Sequence, residues 1–359
     1  MSHVRIYPVI MAGGASSRLW PASNREKPKW DLRLFGPQSL LQGAFERGRA
    51  VAEASDIFVV TGTAQAELVV RTLPDLAKDN LLIEPEPRDT AGAVAFALGG
   101  ILRRIKEKGG DENGVMLILP GDHVISPVAK FADCARAGAA AASSERALVT
   151  FGIVARSPAT AYGYIHRGDV IPGAAGAKLY RVREFREKPD RATAESYLAS
   201  GEYFWNGGIF LWQLGVILKE MQRQLPGHAE LALALRDGPS VAKVMSERFG
   251  ALKKISIDFG VLEGAEKVLC VAADFDWDDI GSWSAVAAHL QRQDGNAVGP
   301  DTRVLNVASE NNVVLASGKR VALVGVENLA VIESDGQILI CRLDRDQDVK
   351  KISEMAQRG

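Results

Sequence analysis

The sequence has few cysteines and histidines. Its 359 residues include three cysteines and five histidines. Cys134, Cys270 and Cys341 lie far apart and form no CxxC pair, which is typical of reduced thiols rather than of a disulfide framework or a zinc site. No two histidines stand at the spacing of metal ligands. The sequence therefore argues against a disulfide-stabilised protein and against a metal centre built on thiols or imidazoles.

Net charge and long apolar runs are also lacking. The 43 Lys and Arg residues balance 44 Asp and Glu residues, which argues against a nucleic-acid-binding or membrane-binding surface spread over the whole molecule. The longest notable apolar stretch, 91–102, is shorter than the roughly 20 residues that span a bilayer. Arg5 interrupts the N-terminal apolar run, so no secretory pattern is present. We therefore expect a cytoplasmic protein with no nucleic-acid or membrane partner.

Up to residue 150, short apolar runs alternate with helical patterns. The helical patterns predict helices, and the runs between them predict strands that end at glycines or polar residues. The alternation predicts an α/β fold with crossover units, a parallel sheet and helices on both of its faces. The predicted strands are 5–11, 57–60, 81–83, 115–119 and 148–152, and the predicted helices are 40–52, 64–72, 90–106 and 128–143.

Beyond residue 150 the regular alternation of strand and helix patterns ends. Gly163, Gly168 and residues 172–176 indicate turns. The pattern then predicts strands at 178–186, 203–212 and 267–272, a helix at 191–199, and two helical segments before the last strand.

From residue 295 onward the segments are short and rich in β-formers. Each is followed within three residues by Gly, Asn or Asp, which predicts a separate β-rich module. We place the domain boundary at 292, giving domains 1–292 and 293–359. The five predicted strands are 304–308, 313–316, 321–326, 330–333 and 338–341.

A glycine-containing loop follows the first strand. Small residues such as Gly13 and Gly14 let backbone N–H groups surround an anion, and Arg18 adds a forked positive charge suited to phosphate. Open parallel sheets bind ligands at the carboxyl ends of their strands. Lys29 is a second candidate cation for phosphate. The alternatives are a ligand-free turn and a solvated surface lysine.

Two carboxylates are candidates for a metal site. Asp122 comes directly after the predicted buried strand 115–119, and Asp279 lies in the acidic stretch 274–279. Mg²⁺ is commonly held by one or two carboxylates together with substrate phosphates. The alternatives are a capping role for Asp122 and a solvated cluster of charges around Asp279.

Further polar side chains stand at strand ends or inside apolar runs. Glu187 and Lys188 follow a strand and could bind sugar hydroxyls and a phosphate, although an exposed ion pair is the simpler interpretation. Asn206 lies within an aromatic run, where it must satisfy its hydrogen bonds through structure or through a ligand. Tyr162 and Gly163 offer a hydroxyl and a turn.

Nine segments, in one order along nearly the whole chain, resemble the sugar-nucleotide pyrophosphorylase family. The motifs within several of these segments, such as TFGI, YFWN and WDDIGSW, resemble those of its mannose branch. The segments are 12–21, 28–29, 84–91, 119–125, 150–165, 185–190, 203–212, 256–263 and 277–283.

The resemblance implies a Rossmann-like, GT-A-like nucleotidyltransferase domain with a mainly parallel central sheet. It also implies a C-terminal partial left-handed β-helix, without the isomerase domain that some bifunctional members carry. The implied reaction is GTP + α-D-mannose 1-phosphate → GDP-mannose + diphosphate, with Mg²⁺ as cofactor. The alternatives are the same reaction with another sugar 1-phosphate or nucleotide, and a catalytically silent nucleotide-binding homologue. A β-rich module often mediates subunit pairing, so a homodimer is a candidate assembly.

The resemblance also implies roles for individual residues. Arg18, Lys29 and Asp122 would be catalytic, and Asp122 and Asp279 would hold the metal. The sugar phosphate would be bound by Tyr162, Gly163, Glu187, Lys188 and Asn206. The nucleotide would be bound by Ala12, Gly13, Gly14, Ser16, Ser17, Arg18, Lys29, Glu84, Arg88, Thr90 and Asp122.

Two positions depart from the family pattern. Ser16 stands where the family usually has glycine, and Trp30–Asp31 replace the usual Gln-Phe. If position 16 needs a positive φ, a serine there carries strain of about 1–3 kcal/mol. Asp31 would repel a triphosphate unless it faces away. Both departures bear on loop geometry and rate, and they motivate the alternative of a silent homologue.

Overall fold

The computed structural model describes residues 4–14, 17–24, 26–172 and 177–356. Packing divides the chain into two compact units. The first unit comprises Met1–Ala12, Phe45–Pro120 and Ile125–Trp277, and the second comprises Gly13–Ala44, Gly121–Val124 and Asp278–Gly359. Residues 293–356 thus pack together with segments from the first half of the chain. The domain boundary at 292 stays a prediction, since these units follow packing rather than chain order.

The first unit contains most of the helices and strands. Helix α1 (Leu40–Arg49) begins in the second unit and ends in the first. The other helices of the first unit are α2 (Ala66–Thr72), α3 (Asp89–Lys108), α4 (Val128–Glu145), α5 (Arg191–Ser200), α6 (Leu214–Gln224), α7 (Pro226–Asp237) and α8 (Val241–Arg248). Its strands are β1 (Ile6–Ala12), β2 (Phe58–Gly62), β3 (Leu81–Glu84), β4 (Val115–Pro120), β5 (Val124–Ser126), β6 (Leu148–Val154), β7 (Gly163–Ile171), β8 (Leu179–Glu187), β9 (Tyr203–Gln213), β10 (Val268–Ala272) and β11 (Asp276–Asp278). Strand β5 begins, and β11 ends, in the second unit.

Nine of these strands form one sheet, in the order β3-β2-β1-β4-β9-β6-β10-β8-β7. Strands β3, β2, β1 and β4 are parallel neighbours, as are β6 and β10. Strand β9 runs antiparallel to β4 and β6, and β8 runs antiparallel to β10 and β7. The α/β fold with a mainly parallel sheet is confirmed, since seven of the nine strands run in one direction, whereas β8 and β9 run in the opposite direction.

Helix α3 shows how the core of this unit forms. Its residues from Ala91 to Leu98 are all buried, and small side chains let it pack closely. A Cβ at Gly99 would stand 2.7 Å from Leu235 Cβ and 2.9 Å from the Ala232 carbonyl oxygen. Glycine at this position therefore allows α3 to approach α7 closely.

Two expectations for the region after residue 150 are wrong. Gly163 and Gly168 lie in strand β7 rather than in turns. The register of β7 against β8 shifts around Arg167, and a Cβ at Gly168 would stand 3.1 Å from the Arg181 carbonyl oxygen, so this glycine marks an irregular close approach between strands. Three α-helices, not two helical segments, lie between β9 and β10. Of the expected turn at 172–176, residues 173–176 lie outside the described residues.

The second unit holds the C-terminal β-rich region. Its helices are α9 (Trp283–His289) and α10 (Val349–Ala356), and its strands are β12 (Gln291–Gln293), β13 (Asn296–Val298), β14 (Arg303–Val307), β15 (Val313–Ala316), β16 (Arg320–Val324), β17 (Leu329–Ser334) and β18 (Gln337–Arg342). The β-rich character predicted from residue 295 onward is confirmed, with strand ends within two residues of those predicted.

Parallel strands stack in two short sheets within this region. Strand β15 pairs with β13 and β17, and β14 pairs with β16. Two fully buried asparagines connect successive coils: Asn312 Nδ2 donates to Asn296 Oδ1 at 2.9 Å and to the Val326 carbonyl oxygen at 3.0 Å. Buried amides of this kind satisfy backbone groups where the chain turns between strands.

An apolar core ties this β-rich region to the N-terminal segment of the second unit. Leu19, Ile280, Trp283, Val313 and Ile332 are each no more than 1% exposed and belong to one cluster. The packing holds residues 17–24, 26–34 and 280–286 against the coils. No helix in the described part of the chain is long and apolar enough to cross a membrane.

Candidate functional site

A polar cavity of about 330 Å³ lies in the second unit. We call it the loop cavity. It contains most of the residues that were predicted to bind triphosphate and metal. Its lining consists of Gly13, Gly14, Ser17, Arg18, Lys29, Trp30, Asp122, Asp279, Ile280, Gly281 and Lys350.

Lys29 connects three stretches of chain in this cavity. Its side chain is 9% exposed, and its ammonium lies 2.8 Å from Asp122 Oδ2. The same ammonium donates to the carbonyl oxygen of Asp279. The alternative of a solvated surface lysine is therefore wrong, since the structure buries this cation between the two predicted metal ligands.

The pKa of Asp122 reflects two opposing effects. Burial alone would raise the pKa of this carboxyl, but the attraction of the Lys29 ammonium, assisted by His123, outweighs it and lowers the pKa below its usual range. Asp122 is thus an anion at neutral pH. Its carboxylate and that of Asp279 offer hard oxygen donors in one cavity. No cluster of three or more His, Cys, Asp or Glu side chains suited to a metal occurs among the described residues.

The backbone beside Asp279 is unusual. Ile280 has φ +49°, a left-handed conformation that a β-branched residue rarely adopts. Asp278 holds it in place, because Asp278 Oδ1 accepts a 2.7 Å hydrogen bond from the Ile280 N–H and Asp278 Oδ2 lies 3.0 Å from His289 Nε2. A Cβ at Gly281 would stand 3.1 Å from Asp279 Oδ2, so the carboxylate lies directly over this glycine.

The residues predicted to lie in or near the glycine loop differ in burial and backbone conformation. Gly14 has φ +97°, a conformation that favours glycine, and Gly13 is exposed beside it. Ala12 is fully buried at the end of β1, where its carbonyl accepts from Thr61 Oγ1 at 2.7 Å. Ser16 lies outside the described residues. Asp31 is not among the described residues that line the cavity.

A second cluster of polar side chains, which we call the amide cluster, lies in the first unit around Asn206. The Asn206 amide donates to Asp258 Oδ1 at 2.9 Å, while its oxygen accepts from Thr150 Oγ1 and from the Gly208 N–H, both at 3.2 Å. Asn206 is therefore part of a network that fixes the orientation of its side chain.

The carboxyl groups of Asp258 and Glu187 both lie in this cluster. Burial, together with repulsion from Glu187, raises the pKa of Asp258 to about 6. The Glu187 carboxylate lies over Gly163, where a Cβ would overlap Glu187 Oε2 and stand 3.4 Å from Asn206 Cβ. Glycine at 163 thus leaves room for Glu187, and the structure brings together three of the residues predicted to bind the sugar phosphate.

The other two predicted sugar-phosphate residues lie close by. The Lys188 ammonium is 3.6 Å from Glu187 Oε1, and Lys188 has φ +46°. The Tyr162 ring packs edge-on against Trp205, with ring centroids 5.0 Å apart. The Lys188 N–H donates to the Tyr162 carbonyl oxygen at 3.3 Å, which joins the two residues through the backbone.

The predicted nucleotide residues in segment 84–91 make internal contacts. Arg88 donates to the carbonyl oxygens of Leu252 and Gly250. Thr90 Oγ1 accepts from the Ile257 N–H at 2.8 Å and so supports the turn that carries Asp258. Glu84 has a buried, unpartnered Oε1, and burial together with repulsion from Asp89 raises its pKa to about 7. These contacts leave their role toward a nucleotide a prediction.

Sequence reasoning missed three residues of these groups. Asp258 stands in the segment 256–263, but an isolated Asp in that segment gives no sign that it contacts Asn206. Asp278 is one of several carboxylates in the acidic stretch 274–279, and nothing in the sequence distinguishes it from the others. Lys350 stands in a region where the sequence pattern predicts strands, although the apolar residues at 349, 352, 355 and 356 have the spacing of a helix and are the signal for α10.

Two family models match the chain. The nucleotidyl transferase model matches residues 7–293, and the model described as the mannose-phosphate isomerase/GMP-like β-helix domain matches residues 302–355. The first match spans well over half of the chain and contains both the glycine loop and the amide cluster. The chain therefore belongs to the nucleotidyl transferase family.

Curated relatives narrow this assignment. Over 99% of its length, the chain is 38% identical to the mannose-1-phosphate guanylyltransferase of Klebsiella pneumoniae, of which it covers 74%. It is 36% identical to the xanthan biosynthesis protein XanB of Xanthomonas campestris, with 97% of this chain and 72% of that one covered. The chain thus belongs to the mannose-1-phosphate guanylyltransferase branch of the family.

A solved structure agrees in fold. The crystal structure of the Thermus thermophilus protein described as mannose-1-phosphate geranyltransferase matches with a TM-score of 0.87 and 31% identity. The match covers 98% of this chain and 99% of that one. The expected nucleotidyltransferase domain with a C-terminal β-helix is confirmed.

Proposed function

We propose that this protein transfers a guanylyl group from GTP to α-D-mannose 1-phosphate, giving GDP-mannose and diphosphate. The observation that carries the proposal is the buried Lys29 ammonium, held by the Asp122 carboxylate and the Asp279 carbonyl in the loop cavity. The names of the relatives support the choice of substrates.

The reaction joins the sugar phosphate to the α-phosphorus of the nucleotide. An oxygen of mannose 1-phosphate attacks this phosphorus in line, a new P–O bond forms, and the bond to the β-phosphate oxygen breaks. The nucleophile is already an anion, so no general base has to remove a proton. The protein has to position the two phosphates and stabilise the charge that develops between them.

The loop cavity is suited to this task. Backbone N–H groups at Gly13 and Gly14 can approach a phosphate closely because no side chain intervenes. Arg18 offers a planar, forked set of donors that matches phosphate oxygens. Lys29 adds a buried positive charge, which acts more strongly there than in water because the surroundings are less polar.

The donor set also fits a magnesium ion. Asp122 and Asp279 supply carboxylate oxygens in the same cavity, and Mg²⁺ is commonly held by one or two carboxylates plus substrate phosphates. Asp122 and Asp279 would hold the ion. When bound, Mg²⁺ would neutralise charge on the phosphate oxygens. Lys29 pairs with Asp122 and keeps that carboxylate ionised and oriented.

In the amide cluster, the sugar phosphate would meet complementary groups. The Glu187 carboxylate accepts hydrogen bonds from sugar hydroxyls, and the Lys188 ammonium attracts the phosphate. Asn206 is fixed by Thr150 and Asp258, so it presents its amide in a single orientation. A fixed amide can distinguish one arrangement of hydroxyls from another.

The test is a diphosphate-release assay that crosses four nucleoside triphosphates with mannose and glucose 1-phosphates, with and without Mg²⁺. We expect the highest kcat/KM for GTP with mannose 1-phosphate, and release only when the metal is present. If kcat/KM is highest for another pair of nucleotide and sugar 1-phosphate, the proposed substrates are wrong but the proposed type of reaction stands. Nucleotide binding without diphosphate release under every condition would contradict catalysis.

A further inference from the structure

A lysine from the C-terminal helix lines the loop cavity. Helix α10 begins at Val349, whose side chain is 2% exposed and belongs to the apolar core of the second unit. The next residue, Lys350, lines the cavity together with Gly13, Gly14 and Arg18. Burial of Val349 thus anchors the helix so that the following side chain reaches a phosphate-binding loop more than 300 residues earlier in the sequence.

The Lys350 ammonium determines the net charge of the loop cavity. Apart from Lys350, the charged residues of the lining are Arg18, Lys29, Asp122 and Asp279, and their charges cancel. The Lys29 ammonium is already bound to Asp122 and to the Asp279 carbonyl oxygen. Lys350 therefore makes the cavity positive overall, and a positive cavity attracts a polyphosphate.

The Lys350 side chain can reorient toward an anion. It is 58% exposed, and its ammonium lies 3.9 Å from Glu354 Oε1, at the limit of an ion pair. Exposed pairs of this kind contribute little to stability. The flexible four-carbon stem lets the ammonium exchange such a partner for a doubly charged phosphate at small cost.

We propose that Lys350 binds the phosphate chain of the nucleotide, so that the C-terminal helix supplies part of the nucleotide site. The inference rests on the proposed function for the identity of the nucleotide, whereas binding of an inorganic polyphosphate tests it independently. Lys350 contributes to the site a charge that the nucleotidyltransferase segment 7–293 does not contain.

The adjacent lysine provides a matched control. Lys351 carries the same charge on the same helix, but it pairs with Asp348 at 2.7 Å and is not among the described residues that line the cavity. Lys350→Gln and Lys351→Gln therefore change the net charge equally. Only the first removes a cation from the cavity.

The experiment measures two quantities on the full-length protein and on both variants: the KM for GTP, and the affinity for inorganic diphosphate by calorimetry. We expect Lys350→Gln to raise the KM for GTP about tenfold and to weaken diphosphate binding about as much, as loss of a charged contact does. The KM for mannose 1-phosphate should not change. Lys351→Gln should match the wild type, and Lys350→Arg should restore most of the affinity.

Equal effects of Lys350→Gln and Lys351→Gln on both quantities would overturn the inference, since long-range charge alone would explain them. If the wild type releases no diphosphate from GTP, but Lys350→Gln alone weakens diphosphate binding, the inference stands and the proposed reaction fails. If the wild type is active and the Lys350→Gln protein binds diphosphate normally, the inference fails and the reaction stands. Matching thermal midpoints of the two variants show that helix α10 remains folded.

Discussion

Lys29 and Asp122 form a 2.8 Å ion pair inside the loop cavity, with the lysine side chain only 9% exposed. A buried charge is tolerated where a partner and further hydrogen bonds compensate for lost hydration, and the Asp279 carbonyl supplies one such bond. The pair therefore orients the carboxylate that we propose as a metal ligand. Its disruption should affect catalysis more than folding.

The first prediction concerns Asp122. Asp122→Asn should lower kcat by about 10²–10³, equivalent to roughly 3–4 kcal/mol, because a preorganised charge is lost at the reacting phosphates. Steady-state rates with GTP and mannose 1-phosphate measure the effect. The control is Asp335→Asn, which breaks the exposed Lys27–Asp335 pair of the same unit. Near-normal turnover of Asp122→Asn, with unchanged circular dichroism, would show that Asp122 is not catalytic.

The second prediction concerns the space that Gly163 leaves for Glu187. A Cβ at this position would overlap Glu187 Oε2, so Gly163→Ala should displace the carboxylate and raise the KM for mannose 1-phosphate about tenfold or more. The KM for GTP should stay within about twofold. At Gly215 a Cβ would meet nothing within 4 Å, so Gly215→Ala serves as the control. A rise in both KM values, or in neither, would argue against a sugar-binding role for Glu187.

The third prediction concerns Asp258 and pH. Its pKa is raised to about 6 in the folded protein, above the value in an unfolded chain, so the folded state retains a proton that the unfolded state loses. The contribution of Asp258 to stability therefore falls as pH rises from about 4 through about 6. Asp258→Asn removes this loss and keeps an oxygen that can accept from Asn206.

Urea unfolding at pH 4.5 and pH 7.5 checks this expectation. At pH 7.5 Asp258→Asn should increase the free energy of unfolding by about 1–2 kcal/mol, and the gain should shrink at pH 4.5. The control is Asp169→Asn, which removes an exposed carboxylate of the same unit. A gain of equal size at both pH values would mean that Asp258 is not protonated in the folded protein.

The fourth prediction concerns the strained backbone at Ile280. Asp278 Oδ1 accepts from the Ile280 N–H, and strained conformations persist only where the surroundings enforce them. Asp278→Ala should let residues 279–281 relax and raise the Mg²⁺ concentration needed for half-maximal activity about tenfold. Asp278→Asn, which keeps an oxygen acceptor, should be milder. Asp276→Ala removes an exposed neighbouring carboxylate. Equal effects of Asp276→Ala and Asp278→Ala would contradict a positioning role.

Strand and helix locations up to residue 150 could be predicted because apolar runs and helical periodicity are local properties. The prediction for the strand at 115–119 matches β4 (Val115–Pro120) within one residue. The reversed direction of β8 and β9 could not be predicted in the same way. The direction of β9 depends on the neighbours that it pairs with, β4 and β6, which lie far away in the sequence.

The same limit applies to the site. Arg18, Lys29, Asp122 and Asp279, which line one cavity, could be chosen as candidates because their chemistry and the resemblance pointed to a phosphate and a metal. The contact between Asn206 and Asp258 could not, since it joins residues 52 positions apart through tertiary packing. The conformation of Ile280 was equally hidden, because nothing about an isoleucine in sequence signals a positive φ.

Isotope labelling tests the proposed reaction most directly. The protein is given GTP and mannose 1-phosphate that carries ¹⁸O in its phosphate group, and the products are analysed by mass spectrometry. Attack of the sugar phosphate on the α-phosphorus predicts that all of the label stays in GDP-mannose and that the diphosphate contains none. Label in the released diphosphate, or no labelled sugar nucleotide at all, would contradict the mechanism.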